Sequence, residues 1–201
     1  MISRLPHKGS LFSTYICNNA YTLYMKTCDL SKWWKAHLWL GVPVILFISA
    51  LQHSLYTLLP FEVIGLWAPV NESLAEHLKI VFYPILLWFL ATFAVFGKRC
   101  NLDFYKWITS GGIASIVAVS LLTALFCTFV YGFNVPFESF IFHIFIEIVS
   151  ITIAYILGLH YYNRTKGAFV ITAVVIFLTI GVAVLMGVFA FYPPDIRIFK
   201  G

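Results

Sequence analysis

Long apolar runs alternate with short polar connections along this chain, and five of the runs meet the length of about 20 residues that a helix needs to cross a bilayer. They fall at roughly 36–59, 72–97, 107–131, 137–161 and 168–192. This pattern predicts an all-α fold, a polytopic transmembrane bundle of five spans. Residues 1–24 are polar and rich in tyrosine, and are expected to form a poorly ordered extension, with residues 25–201 as a single transmembrane domain. No cleavable signal pattern precedes the first span, which is expected to remain as an anchor.

Composition excludes the other classes. Of 201 residues, 61% are hydrophobic and only 10% are charged, whereas a soluble domain carries about 25% charged residues and a disordered chain is poor in apolar ones. The net charge of +5 is scattered over short connections, and a nucleic-acid surface would gather it on one face. The expected partner is therefore the lipid bilayer, with no nucleic acid.

Basic residues also predict orientation. The amino-terminal segment has Arg4, Lys8, Lys26, Lys32 and Lys35, the second connection Lys98, Arg99 and Lys106, and the fourth Arg164 and Lys166. The first and third connections have none, which places the amino terminus in the cytoplasm of a multi-pass cell-membrane protein. Only Arg197 and Lys200, in the tail, run against this alternation. Cys17, Cys28, Cys100 and Cys127 show no metal or redox spacing, and the first three fall on the reducing side, so free thiols are expected.

Most of the acidic residues and half of the histidines avoid the basic connections and gather at the other ends of the spans. His53 lies near the outer end of the first span, and Pro69-Val70-Asn71-Glu72-Ser73 opens the second, which continues with Glu76, His77 and Lys79. Pro136-Phe137-Glu138-Ser139 opens the fourth, which continues with His143 and Glu147. At about 1.5 Å rise per residue, His77 and His143 both lie roughly 7 Å beyond their opening glutamates. The two openings resemble an internal repeat, although proline and a carboxylate are also ordinary helix-start chemistry.

Each residue has a plain structural reading beside the chemical one. Glu72 or Asn71 can cap a helix, Lys79 can neutralise Glu76 or Glu147, and His53 can be a hydrogen-bonded interior residue. His7, His37 and His160 are assigned no role. Charge at the centre of a membrane helix costs about 2.5–3.5 kcal/mol per residue, however, so this many ionisable groups at one level point to function. His143 and Glu147, spaced i and i+4, share a helix face, as bundle metal ligands do. The expected catalytic groups are Glu76, His77, His143 and Glu147, supported by His53, Asn71, Glu72, Lys79 and Glu138. His77, His143, Glu147 and Glu76 form the expected ligand set for a divalent metal such as zinc.

The segment G-L-W-A-P-V-N-E-S-L-A-E-H-L-K-I-V-F-Y-P, residues 65–84, resembles an uncharacterised family of small polytopic bacterial membrane proteins with a P-V-N-E-S-x-x-E-H-x-K signature. The resemblance singles out Asn71, Glu72, Glu76, His77 and Lys79 and implies no chemistry. Intramembrane proteases of the CPBP type use adjacent glutamates, which are absent here, and no motif aligns with lipoprotein acyl-transferring enzymes. The expected function is a metal-dependent or acid–base hydrolase or transferase acting on a lipid-linked substrate. The alternatives are a small transporter or ion-binding protein, in which polar residues would continue to the inner face, and a structural protein whose buried polar groups fix helix register.

Overall fold

The apolar runs fold as helices because only a helix satisfies its own backbone in lipid. The computed structural model describes residues 30–136, 140–167, 169–196 and 199; the extension at 1–24 and Glu138 lie outside the described residues. Among the described residues the helices are α1 (Leu30–Leu58), α2 (Glu62–Gly65), α3 (Leu74–Phe96), α4 (Phe104–Phe126), α5 (Phe140–Arg164) and α6 (Phe169–Phe191), and a π-helical turn, Cys127–Gly132, extends α4. Five segments have the length and hydropathy of membrane spans: Trp39–Leu58, Leu74–Phe96, Phe104–Gly132, Ile141–Arg164 and Phe169–Phe191. The protein is a multi-pass membrane protein of all-α class, as the pattern predicts.

Helix starts differ from the hydropathy boundaries where a capping side chain decides them. Ser73 caps α3, its hydroxyl accepting from the Glu76 N–H, so this helix begins at Leu74. Asp103 caps α4 through the Lys106 N–H at 2.9 Å, which brings the start forward to Phe104. A side-chain acceptor here satisfies one of the orphan N–H groups of the first turn.

Packing is organised around α4. In lipid, apolar side chains gain little by leaving their surroundings, so close backbone approach and hydrogen bonding drive helix association. Small residues Ser110, Gly111, Gly112, Ala114, Ser115 and Ala118 are buried along α4. Gly158 of α5 sits so close that a Cβ there would lie 2.7 Å from the Ser110 carbonyl oxygen. Thr109 donates to Thr172 of α6 at 2.9 Å, and the Trp107 indole N–H to the Phe89 carbonyl of α3 at 2.7 Å. α6 otherwise forms an outer wall, with Phe177, Ile180 and Val184 facing outward.

The ends of α1 are held differently. Near its start, His37 is buried between Trp88, Trp107 and Tyr155, hydrogen-bonded to the Tyr155 hydroxyl, which accepts from the Trp88 indole at 2.8 Å. Further along, Ser49 donates to the Ile80 carbonyl and Gln52 to the Trp67 carbonyl, fastening α1 to α3 and to the connection after α2.

Cys127 is free, whereas Cys100, buried in the turn between α3 and α4, is disulfide-bonded. This corrects the expectation of free thiols: spacing along the chain does not report which cysteines the fold brings together.

Candidate functional site

The connection that carries Glu72 is held against α3 by two charged residues of α3 itself. Glu76 and Lys79 are 3% and 0% exposed, and they pair at 2.7 Å between Oε2 and Nζ. The same Glu76 oxygen accepts from the Val70 N–H at 2.8 Å, and Lys79 donates to the Gly65 carbonyl at 2.8 Å. The two charges thus satisfy backbone groups at the end of α2 and in the irregular segment that follows it, which a membrane protein tolerates only where such groups are paired. The Asn71 side-chain oxygen accepts from the Ser73 N–H at 2.9 Å, forming a local turn that projects Glu72.

The arrangement separates the residues of the signature by task. Glu76 turns to Lys79 and Val70 rather than to His77, consistent with its one-residue offset, which rotates it about 100° around the helix. It stands apart from the group it was expected to join. His77 is anchored by Ser73, whose carbonyl oxygen accepts from Nδ1 at 2.9 Å. A carbonyl can only accept, so this bond assigns the proton to Nδ1 and leaves the Nε2 lone pair free to bind.

That lone pair faces two further ligand atoms. His53 Nε2 lies 3.2 Å from His77 Nε2, and Glu72 Oε2 lies 3.6 Å from the first and 3.5 Å from the second. The three side chains come from α1, the connection and α3, and they form a triad that could hold a metal ion. With Zn–N and Zn–O bonds of about 2.0–2.2 Å, two donors on a tetrahedral ion stand about 3.3–3.6 Å apart, so this triangle has the size of one face of such a shell. The side chains are 39% exposed at His53, 69% at Glu72 and 16% at His77, which leaves the site open on the Glu72 side.

His143 and Glu147 approach from α5. The His143 and His77 rings are 5.9 Å apart between centroids, and Phe126 and Phe142 pack on His143 at 5.8 Å. His77, His143 and Glu147 line a small chamber of about 20 Å³, which exceeds the roughly 10–15 Å³ that one water requires. The Glu147 carboxyl also borders a second cavity of about 400 Å³ beside His53, and its Oε1 is buried with no hydrogen-bond partner. Glu147 therefore stands between two spaces, one lined by His77 and His143, the other by His53.

Sequence reading picked out the histidines and both α5 residues but gave His53 and Glu72 only supporting roles, while the structure places them against His77. It passed over Gln52 and Ser49, whose polarity inside an apolar run was the available signal, and His37, which belongs to the aromatic cluster at the other end of α1.

The chain belongs to a family of unknown function (DUF6512), which matches residues 23–201. No curated protein and no solved structure matches it.

Proposed function

We propose that the protein is a metal-dependent membrane hydrolase or transferase acting on a lipid-linked substrate, with His53, His77 and Glu72 as ligands of a divalent ion of the zinc class. The single observation that carries this reading is the triangle of Nε2, Nε2 and Oε2 atoms at 3.2, 3.5 and 3.6 Å. Imidazole and carboxylate are ordinary zinc ligands, and three protein ligands with a fourth position left open characterise catalytic sites rather than structural ones. The Ser73 carbonyl bond to His77 is the kind of outer contact that orients a ligating imidazole.

Such an ion would polarise a substrate carbonyl or phosphoryl oxygen and acidify a bound water. His143 and Glu147 supply the acid–base partners, since they border the chamber beside His77 and no residue of the triad is available for that task. Glu76, Lys79 and Asn71 hold the connection that carries Glu72. The charge pattern supports a reading in which this end of the bundle meets the outer face of the membrane, within reach of lipid headgroups.

Elemental analysis of detergent-purified protein after dialysis against a weak chelator tests the reading. About one zinc or similar ion per chain is expected, falling to background in His53→Ala/His77→Ala. Metal-free protein that also fails to bind added zinc would overturn it.

A further inference from the structure

The cavity of about 400 Å³ beside His53 and Glu147 lies in the seam between α1 and α5, walled by Leu46, Ala50 and Ile144 with Ile80 of α3 behind, and Ala50 and Ile144 are exposed on the surface of two spans. A second cavity of about 340 Å³ lies further along the same seam, between Trp39, Val42 and Pro43 on one side and Thr152 and Ile156 on the other. His53 and Trp39 are fourteen residues apart on α1, or about 21 Å along its axis, enough to cover the depth of one leaflet, about 15 Å.

The polarity of this seam is graded. His53, Ser54 and Glu147 stand at the end that meets the metal triad, and the other end is apolar except for Thr152. α1 is fastened by hydrogen bonds on its α3 side through Ser49 and Gln52, whereas toward α5 it comes close at Gly41, where a Cβ would meet the Tyr155 hydroxyl at 2.6 Å. The two helices therefore touch at Gly41 and leave space beside it at Trp39, Val42 and Pro43 and further along at Ala50 and Ile144. A groove with an ionisable end and an apolar length, open to the membrane, matches an amphiphile and does not match a water-soluble substrate.

We propose that the α1–α5 seam is a lateral lipid slot, in which one acyl chain of a lipid from the adjoining leaflet lies with its polar end at His53 and Glu147. This deepens the functional reading above by locating where the acyl chain of its lipid substrate lies, and it rests on that reading only for the chemistry at the polar end. The wider cavity of about 640 Å³ between α3 and α6, near Tyr83, Gly187 and Val188, has neither imidazole nor carboxylate along its wall. It serves as the internal reference for ordinary contact with bilayer lipid.

The test uses full-length protein in phosphatidylcholine nanodiscs carrying a small fraction of a phosphatidylcholine with a diazirine in one acyl chain. Crosslinks are mapped by mass spectrometry. Labelling at Leu46, Ala50 and Ile144 is expected to exceed that at Gly187 and Val188 by about tenfold, and Ala50→Trp should remove most of that excess, a change worth about 1.4 kcal/mol. Leu178→Trp, on the outward face of α6, should leave it unchanged. Equal labelling of the two grooves, or an unaltered excess in Ala50→Trp, overturns the proposal. Should Ala50→Trp melt at a much lower temperature than the parent, Ile144→Trp gives the same reading from the other wall. Zinc titration of the same samples separates the two ideas: slot labelling without zinc binding sinks the metal centre alone, and zinc binding with uniform labelling sinks the slot alone.

Discussion

His53 and His77 meet Nε2 to Nε2 at 3.2 Å although 24 positions separate them in the chain. Because the Ser73 carbonyl holds the His77 proton on Nδ1, His77 Nε2 can only accept, and His53 Nε2–H is its donor when no cation is present. A metal ion would take the place of that one proton, with Glu72 closing the third corner.

Ligand variants should separate by the job of each residue. His77→Ala is expected to weaken zinc binding at least about 100-fold, and Asn71→Ala, which only releases the turn that projects Glu72, by about 10-fold. Isothermal titration calorimetry in detergent reads both. Equal affinities for parent and His77→Ala would remove His77 from the ligand set.

His143 is assigned to the chemistry and not to the triad. His143→Ala should keep the parent's zinc stoichiometry and membrane insertion while losing hydrolysis or transfer of a lipid substrate. Loss of zinc in this variant would move His143 into the ligand set.

Glu76 and Lys79 are both buried and each satisfies the other. Glu76→Gln leaves an unpaired ammonium inside the bundle, with an expected loss of about 3–5 kcal/mol. The double variant Glu76→Gln/Lys79→Met should be less damaging than this single change. Melting in detergent, followed by tryptophan fluorescence, orders the three proteins, and a harmless Glu76→Gln would contradict the structural role given to the pair.

Two glycines make opposite forecasts. Gly158→Val forces a side chain against the Ser110 carbonyl 2.7 Å away and should cost about 1–3 kcal/mol by overpacking the α4–α5 contact. Nothing lies within 4 Å of a Cβ at Gly181, so Gly181→Ala should be neutral or slightly stabilising. Comparable losses in both variants would show that α6 is packed against something further.

Orientation is testable with fusions. A periplasm-active phosphatase joined after Pro60 should be active and one joined after Lys98 silent, given the basic residues at Lys98, Arg99 and Lys106. The bonded Cys100 lies beside that basic turn, and disulfides belong to oxidising compartments. Activity after Lys98 with silence after Pro60 would therefore invert the topology and put the site on the cytoplasmic side.

The sequence by itself determined the membrane class, the five spans and the level at which the polar residues gather. Those properties follow from hydropathy summed over whole helices, where the bilayer dictates length and each charge stands out against an apolar background. Helix starts were readable to within a few residues, and Ser73 and Asp103 account for the shifts at α3 and α4.

Only the tertiary structure decided how the polar residues divide into partners. Glu76 and His77 are neighbours in sequence, yet a helix sends them to different sides, one to Lys79 and Val70, the other to His53 and Glu72. Glu72 looked like a helix cap, but Ser73 took that position and left its carboxylate beside the histidines. Periodicity orders residues around one helix; it carries no record of how the next helix is rotated, and contact between α1, α3 and α5 depends on that rotation, which packing against α4 sets for α3 and α5 and the Ser49 and Gln52 hydrogen bonds set for α1.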